Sequence, residues 1–430
     1  MKKYLQWLQN EIEVWVRAGI IDDRQARAIR GHYPSQEESA SWGRIAFGVA
    51  GGVLIGLGVI LLFAYNWEKM HKFAKLAVVF MALIAAHGAA LSVRRAAARE
   101  TLHVLGTMFF GAGIWLVAQI YHIDEHYPNA FLVWGIGALS LAWALPSLSQ
   151  ALIATLLLVL WNGLEVFNFH NPNHAAPALI LLGVLPLAWV LRSRVLTAAG
   201  LAAFLFVLFS TLQRVSWNLM MPVFLSCAMV LIAAGLILQR NDRTTELAPT
   251  CFFFGNGLYF FLLYLLTFRG TRVILSLSSQ QPWVSRLWVF LPLAAALGFW
   301  VAALLPVRDI RERIVAGMRV DYLAVPVTLL VYAFLSLSRI ELRGFLATAP
   351  YNLLFLFSAV MLMLRGFRTL HLRSAAMGSV LLAALAIARY TDLFHSLLAR
   401  AAVFLLVGGM MLGVGVFFAR ARKARQEETR

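Results

Sequence analysis

The sequence predicts an all-α polytopic transmembrane helix bundle of about 14 spans (range 10–14), led by a short N-terminal cytoplasmic helical hairpin. Three observations carry that expectation. Hydrophobic residues make up 61% of the 430-residue chain and charged residues only 13%, so a soluble fold of this size could not cover itself with charge. Apolar runs of about 20 residues, the length needed to cross a hydrocarbon core, recur from Ile45 onward. Lys and Arg, finally, are concentrated in alternate connections between those runs.

Residues 1–42 form the one sizeable hydrophilic stretch. Leu5, Leu8, Ile12, Trp15 and Val16 recur at helical spacing, with Gly19 as a stop. Asp22 and Gln25 then read as a capping box for a second short helix through about Arg30, and Pro34-Ser35-Gln36 as a linker. The hairpin suits packing beside the membrane; Trp7 and Trp15 would also suit its surface.

The spans follow at 44–65, 73–93, 101–121, 130–147, 150–168, 176–191, 195–212, 218–238, 250–268, 287–306, 322–338, 346–364, 374–389 and 401–419, the sixth, eleventh and thirteenth being short. Segment 270–286 is too polar to span and reads as an interfacial loop. With the N-terminus inside, inner segments hold 26 Lys and Arg against ten outside, which predicts that both termini are cytoplasmic.

The net charge of +17 is accounted for by that bias, so no nucleic-acid partner is expected. Cys227 and Cys251 lie inside apolar runs, with neither a disulfide framework nor a zinc-type spacing. The first apolar run stands behind a polar segment, so no cleavable signal peptide is expected.

The stretch from Gly51-Gly52-Val53 to Gly58-Val59, running on to Ala64-Tyr65-Asn66-Trp67-Glu68, resembles the first-span signature of a bacterial membrane-protein family known as domain of unknown function 2157. Trp15 to Ile20, Ala118-Gln119-Ile120-Tyr121 and Trp134 extend the likeness, which covers about residues 1–170. Arg389-Tyr390, Asp392-Leu393-Phe394 and Phe404 to Gly409 resemble the ending of such proteins, whereas 170–370 matches only in being apolar. The resemblance implies a bacterial inner-membrane protein without an established activity. It also suggests a partner, a second membrane protein bearing a Gly-Asp-Tyr motif. The expected organisation is a hairpin at 1–42, a family-like membrane domain of about five spans at 43–170, a membrane domain of about nine spans at 171–419, and a basic cytoplasmic tail at 420–430.

Two sets of residues stand out. Gly48, Gly52 and Gly56, and Gly409 and Gly413, are spaced four apart, as in helices that approach closely in lipid. The pattern Gly-Gly-x-x-x-Gly-x-Gly-Val occurs at both Gly51 and Gly408, through an internal repeat or through chance. The second set is polar and lies on the predicted outer face: Asn66, Glu68, Gln119, His122, Asp124, His126, Asn162, Glu165 and His170, with His71, Glu125, His174, Asp392 and His395 around them. Imidazole and carboxylate together could bind a metal or pass protons, or simply be loop residues; the spacing matches no metal motif, and Pro172 prevents a helical pair of His170 with His174. Short connections predict that spans one to five are neighbours and that this set forms one cluster, with a histidine or amide in hydrogen-bond reach of Glu165. His87, read as mid-span, suits a lone neutral histidine bonded to a neighbouring helix, or else a relay; Asn256, between Gly255 and Gly257, suits an interhelical hydrogen bond, or else a local break of its helix.

Phosphate-binding glycine loops, His-Glu-x-x-His and Gly-x-Ser-x-Gly are not found, so an ATP-driven pump in this chain alone is not expected, nor a cofactor. The first functional reading is a structural or assembly component acting with a membrane partner. The alternatives are a secondary transporter or channel, and a membrane enzyme acting on a lipid-linked substrate.

Overall fold

The computed structural model describes residues 2–32, 42–65, 71–123, 126–242, 244–268, 283–304, 320–337, 345–369 and 372–392, with scattered positions between 401 and 416. Among the described residues all regular structure is helical. The helices are α1 (Lys2–Arg17), α2 (Asp23–His32), α3 (Trp42–Tyr65), α4 (Lys72–Ser92), α5 (Ala96–Ile120), α6 (Pro128–Ala144) and α7 (Leu148–Asn168). Then come α8 (Ala175–Val190), α9 (Arg194–Val215), α10 (Met220–Leu238), α11 (Ala248–Leu266), α12 (Trp283–Leu304), α13 (Val320–Leu337), α14 (Phe345–Thr369) and α15 (Leu372–Asp392).

Each of the first thirteen expected spans is therefore a helix. Eight are long and apolar enough to cross a membrane, and five carry shorter apolar stretches. The fourteenth, 401–419, lies mostly outside the described residues, as does most of the expected loop 270–286. The sixth span is locally irregular. Pro186 has no N–H to give to the carbonyl four residues back, and α8 widens into a π turn at Ile180–Val184 just before it. The chain packs as two compact units, Met1–Leu157 and Leu158–Arg430, with their division inside α7.

In the first unit the hairpin closes as its end signals dictate. Gly19 has φ +68°, Ile20 N–H bonds back to the Trp15 carbonyl and Gly19 N–H to Val16, the paired pattern of a left-handed helix stop. The Asp22 N–H donates to Gln25 Oε1 at 3.0 Å while the Gln25 N–H donates to Asp22 Oδ1 at 2.6 Å, a reciprocal capping box. Ile12 of α1 and Ala26 of α2 are buried. Replacing Asp22 with Ala should cost the hairpin about 1 kcal/mol, seen as faster amide exchange in residues 23–32.

In the membrane part of this unit α5 packs against α3, α4 and α6. It can do so because its glycines are seats for rings. The His87 imidazole of α4 lies where a Cβ on Gly106 would be, and the Trp134 indole of α6 lies where one on Gly111 would be. On the α3 side, a Cβ on Gly48 would lie 2.8 Å from Thr101 Oγ1, and those of Gly52 and Gly56 would lie 3.1 Å from Thr101 Cγ2 and Met108 Cβ. Gly409 and Gly413 have no described neighbour within 4 Å.

The second unit is built round α10, 72% of whose span is buried. Its core joins Leu208 and Leu212 of α9, Phe224, Met229 and Ile232 of α10, Tyr259 and Leu263 of α11, and Phe355 of α14. Tyr259 brings its hydroxyl into that core and shares hydrogen bonds with Thr328 Oγ1 at 3.1 Å and Ser358 Oγ at 3.4 Å, so the phenol is buried without losing its partners. α11 runs unbroken through Asn256, whose amide donates to the Phe252 carbonyl of its own helix at 2.8 Å. The amide is thus satisfied within one turn of its own helix, by neither an interhelical bond nor a local break. Arginine side chains finish two helix ends: Arg240 donates to the Ala302 and Ala303 carbonyls of α12, and Arg389 to the Thr267 carbonyl after α11.

Candidate functional site

Polar side chains inside an apolar bundle are costly unless partnered, so their partners define the candidate sites. In the second unit they gather where α7 ends. Asn162, fully buried, donates through Nδ2 to Ser210 Oγ of α9 at 2.6 Å and accepts on Oδ1 from Thr211 Oγ1 at 3.2 Å. Past Asn162 the helix widens into a π turn, Leu164–Asn168, closed by Phe169 N–H on the Leu164 carbonyl. A wide turn frees carbonyls and redirects side chains, a feature frequent at functional sites. The freed Val166 carbonyl accepts from Arg214 Nε at 3.1 Å, and Arg214 also bonds His170 Nδ1 at 2.8 Å. His170 takes φ +59° to turn the chain there.

Glu165 stands on the same turn, 8% exposed, and makes a polar or electrostatic contact of its own. Beyond the turn, the Asn173 carbonyl accepts from Thr211 at 3.0 Å, and its Oδ1 accepts the Ala176 N–H at 3.2 Å to start α8. Partial desolvation at this helix start holds the pKa of His174 below its ordinary value. The arrangement ties α7, the 169–174 connection and α9 into one polar knot of amide, hydroxyl, guanidinium and imidazole.

Asn162→Ala removes two interhelical bonds from this knot and should cost about 1–2 kcal/mol. Thr155→Ala, which removes only a bond to the Ala151 carbonyl of the same helix, should cost less. Thermal unfolding of the two variants in detergent makes the comparison.

The first unit holds a second centre, at the end of the bundle where α4 finishes and α5 begins. His87 Nδ1 and His103 Nδ1 are 3.0 Å apart. Glu100, one turn before His103, accepts from the Ser147 hydroxyl, which also accepts the Gln150 N–H at 3.1 Å and so caps α7. Thr107 donates to Gln150 Oε1 at 2.8 Å, and Trp134 Nε1 donates to the Thr107 carbonyl at 2.8 Å. Gln150 is fully buried, and its Nε2 has no hydrogen-bond partner among the described residues.

Of the nine residues expected to cluster, Asn162 and His170 take part in the knot just described, and Glu165 stands on its π turn. Gln119 and His122 lie exposed at the far end of α5, His122 with φ +52°, and His126 is half-buried just ahead of α6. Asn66, Glu68 and Asp124 lie outside the described residues. Sequence reading missed Arg214, counted only as an outer charge, and the pairing of His87 with His103. His87 also proves to lie in the last third of α4 rather than mid-span, ahead of its end at Ser92. Among the described residues no group of three His, Cys, Asp or Glu could hold a metal ion.

The hairpin with its left-handed Gly19, the glycine face of α3 on α5, and Trp134 seated on Gly111 are the parts of the fold that the expected resemblance covers. Residues 13–152 match the family model described as predicted membrane protein (DUF2157). The matched segment holds the last turn of α1, all of α2–α6 and the first turn of α7, including the His87–His103 centre; the knot round Asn162 lies beyond it. No curated protein and no solved structure matches the chain.

Proposed function

We propose that this membrane protein is a multi-pass component of a bacterial inner membrane, both termini cytoplasmic, that acts by assembling with a second membrane protein. The charge bias between alternate connections supports the orientation. The observation that carries the assembly reading is α4. Only 11% of its span is buried, although it stands in the family-matched unit. Phe73, Phe80, Ile84 and Leu91 are all exposed, and at spacings of seven, four and seven they form a single row along the helix. Gly88, with no neighbour within 4 Å, adds a place for close approach beside the row. A row of large knobs beside a glycine suits a facing helix.

A photo-crosslinking side chain placed at Ile84 should yield one discrete adduct with a second membrane protein in native membranes. The same side chain at Leu297, exposed on α12 of the other unit, should not. Lipid adducts alone at both positions would contradict the assembly reading.

A secondary transporter or channel is the second reading, favoured by the two ionisable imidazoles His87 and His103 inside the bundle. The third, an enzyme acting on a lipid-linked substrate, needs outer-loop acids to join the histidines, and Glu68, Asp124 and Glu125 lie outside the described residues.

A further inference from the structure

Two ring nitrogens 3.0 Å apart hold one proton between them. In the neutral pair one imidazole donates its Nδ1–H and the other accepts on Nδ1, which leaves the donor ring a free lone pair on Nε2. A proton added there converts the donor to an imidazolium. No bond breaks, and the shared hydrogen bond becomes charge-assisted. A second added proton has only the accepting Nδ1 to go to. That severs the bond and sets two positive rings beside each other, with centroids 5.3 Å apart.

One carboxylate stands near the pair. Glu100 and Arg99 on α5 are the charged groups whose fields reach His103. Glu100 lies one turn away on the same helix, so a carboxylate is at hand for an imidazolium. Arg94 and Arg95 stand in the connection; α4 brings only Lys72 and Lys75, far along the helix, and residues 47–61 of α3, all of α6 and residues 145–157 bring no titratable group. His87 is held in place from behind, since its ring fills the space left by the missing Cβ of Gly106. At 1.5 Å per residue both histidines lie about 8–10 Å along their helices from the turn joining α4 to α5.

We propose that the His87–His103 pair is a binding site for a single proton inside the membrane bundle, filled from the end where α4 meets α5, with Glu100 as its counter-charge. The proposal rests on neither reading of the protein's role.

The test is nitrogen-15 NMR of the histidine side chains of the full chain in lipid nanodiscs, with signals assigned through His87→Asn and His103→Gln. His87 and His103 should show scalar coupling between their Nδ1 nuclei and titrate as a coupled pair, their two midpoints more than about one pH unit apart. In His103→Gln the remaining His87 should titrate in one step. Gly106→Ala keeps both imidazoles but fills the seat of the His87 ring, and should give two independent one-step titrations without the coupling. Independent titrations in the unaltered protein, or two rings that stay neutral between about pH 4 and pH 9, would overturn the proposal. The deciding readout is taken on the unaltered protein, and the two histidine variants serve to assign its signals.

Discussion

Gly366→Val is expected to unfold the packing of α14 on α15. A Cβ on Gly366 would overlap the backbone of Ala375, and one on Gly378 would lie 2.7 Å from the Met363 nitrogen and 2.8 Å from the Ala359 carbonyl oxygen. The two helices thus meet backbone to backbone, through one glycine from each. Main chain cannot rotate aside as a side chain does, so the cost falls at the upper end of overpacking, about 3 kcal/mol or more. Gly298→Ala on α12 is the control: no heavy atom lies within 4 Å of that site, and the added methyl group should favour the helix by up to about 1 kcal/mol. Unfolding midpoints in detergent should fall sharply for the first variant and hold or rise for the second.

Trp134→Ala should be the most damaging substitution in the family-matched unit. The indole fills the seat over Gly111, and its N–H holds the Thr107 carbonyl at 2.8 Å. Truncating it empties a ring-sized space between α5 and α6, at a cost of about 3–5 kcal/mol. Trp134→Phe keeps a ring in the seat and loses the hydrogen bond, so it should cost nearer 1 kcal/mol. The gap between the two variants separates ring packing from hydrogen bonding; equal losses would mean that the bond to Thr107 is the whole of the effect.

The residues differ in how plainly they announce their places. Spans are legible because lipid demands about 20 apolar residues whatever the partners. The hairpin ends are legible because Gly19 and the Asp22–Gln25 spacing act within one turn of chain. Facing is another matter. A helix apolar on every side, such as α4 or α5, carries no periodicity to say which face turns inward. That is why His87 reads as solitary although His103 stands opposite it. One signal was present: the two histidines lie at similar distances on either side of the Val93–Arg95 connection, and a helical hairpin brings such positions to the same depth. Arg214 gave less warning. Its role depends on a carbonyl freed by the π turn at Val166, and nothing in residues 164–168 marks that turn. At Asn256 neither the interhelical bond nor the local break that the sequence allows is found, since a bond to Phe252 satisfies the amide within its own helix.

Every role proposed above requires α5 to cross the membrane, carrying the histidine centre near one face and Gln119 to the other. Reporter fusions made after Arg99 and after Asn129, one active only in the cytoplasm and one only outside it, test this most directly. The expected result is cytoplasmic activity at Arg99 and external activity at Asn129. The same side reported at both positions would mean that α5 does not span, and would contradict the bundle, its orientation and the sites built on it.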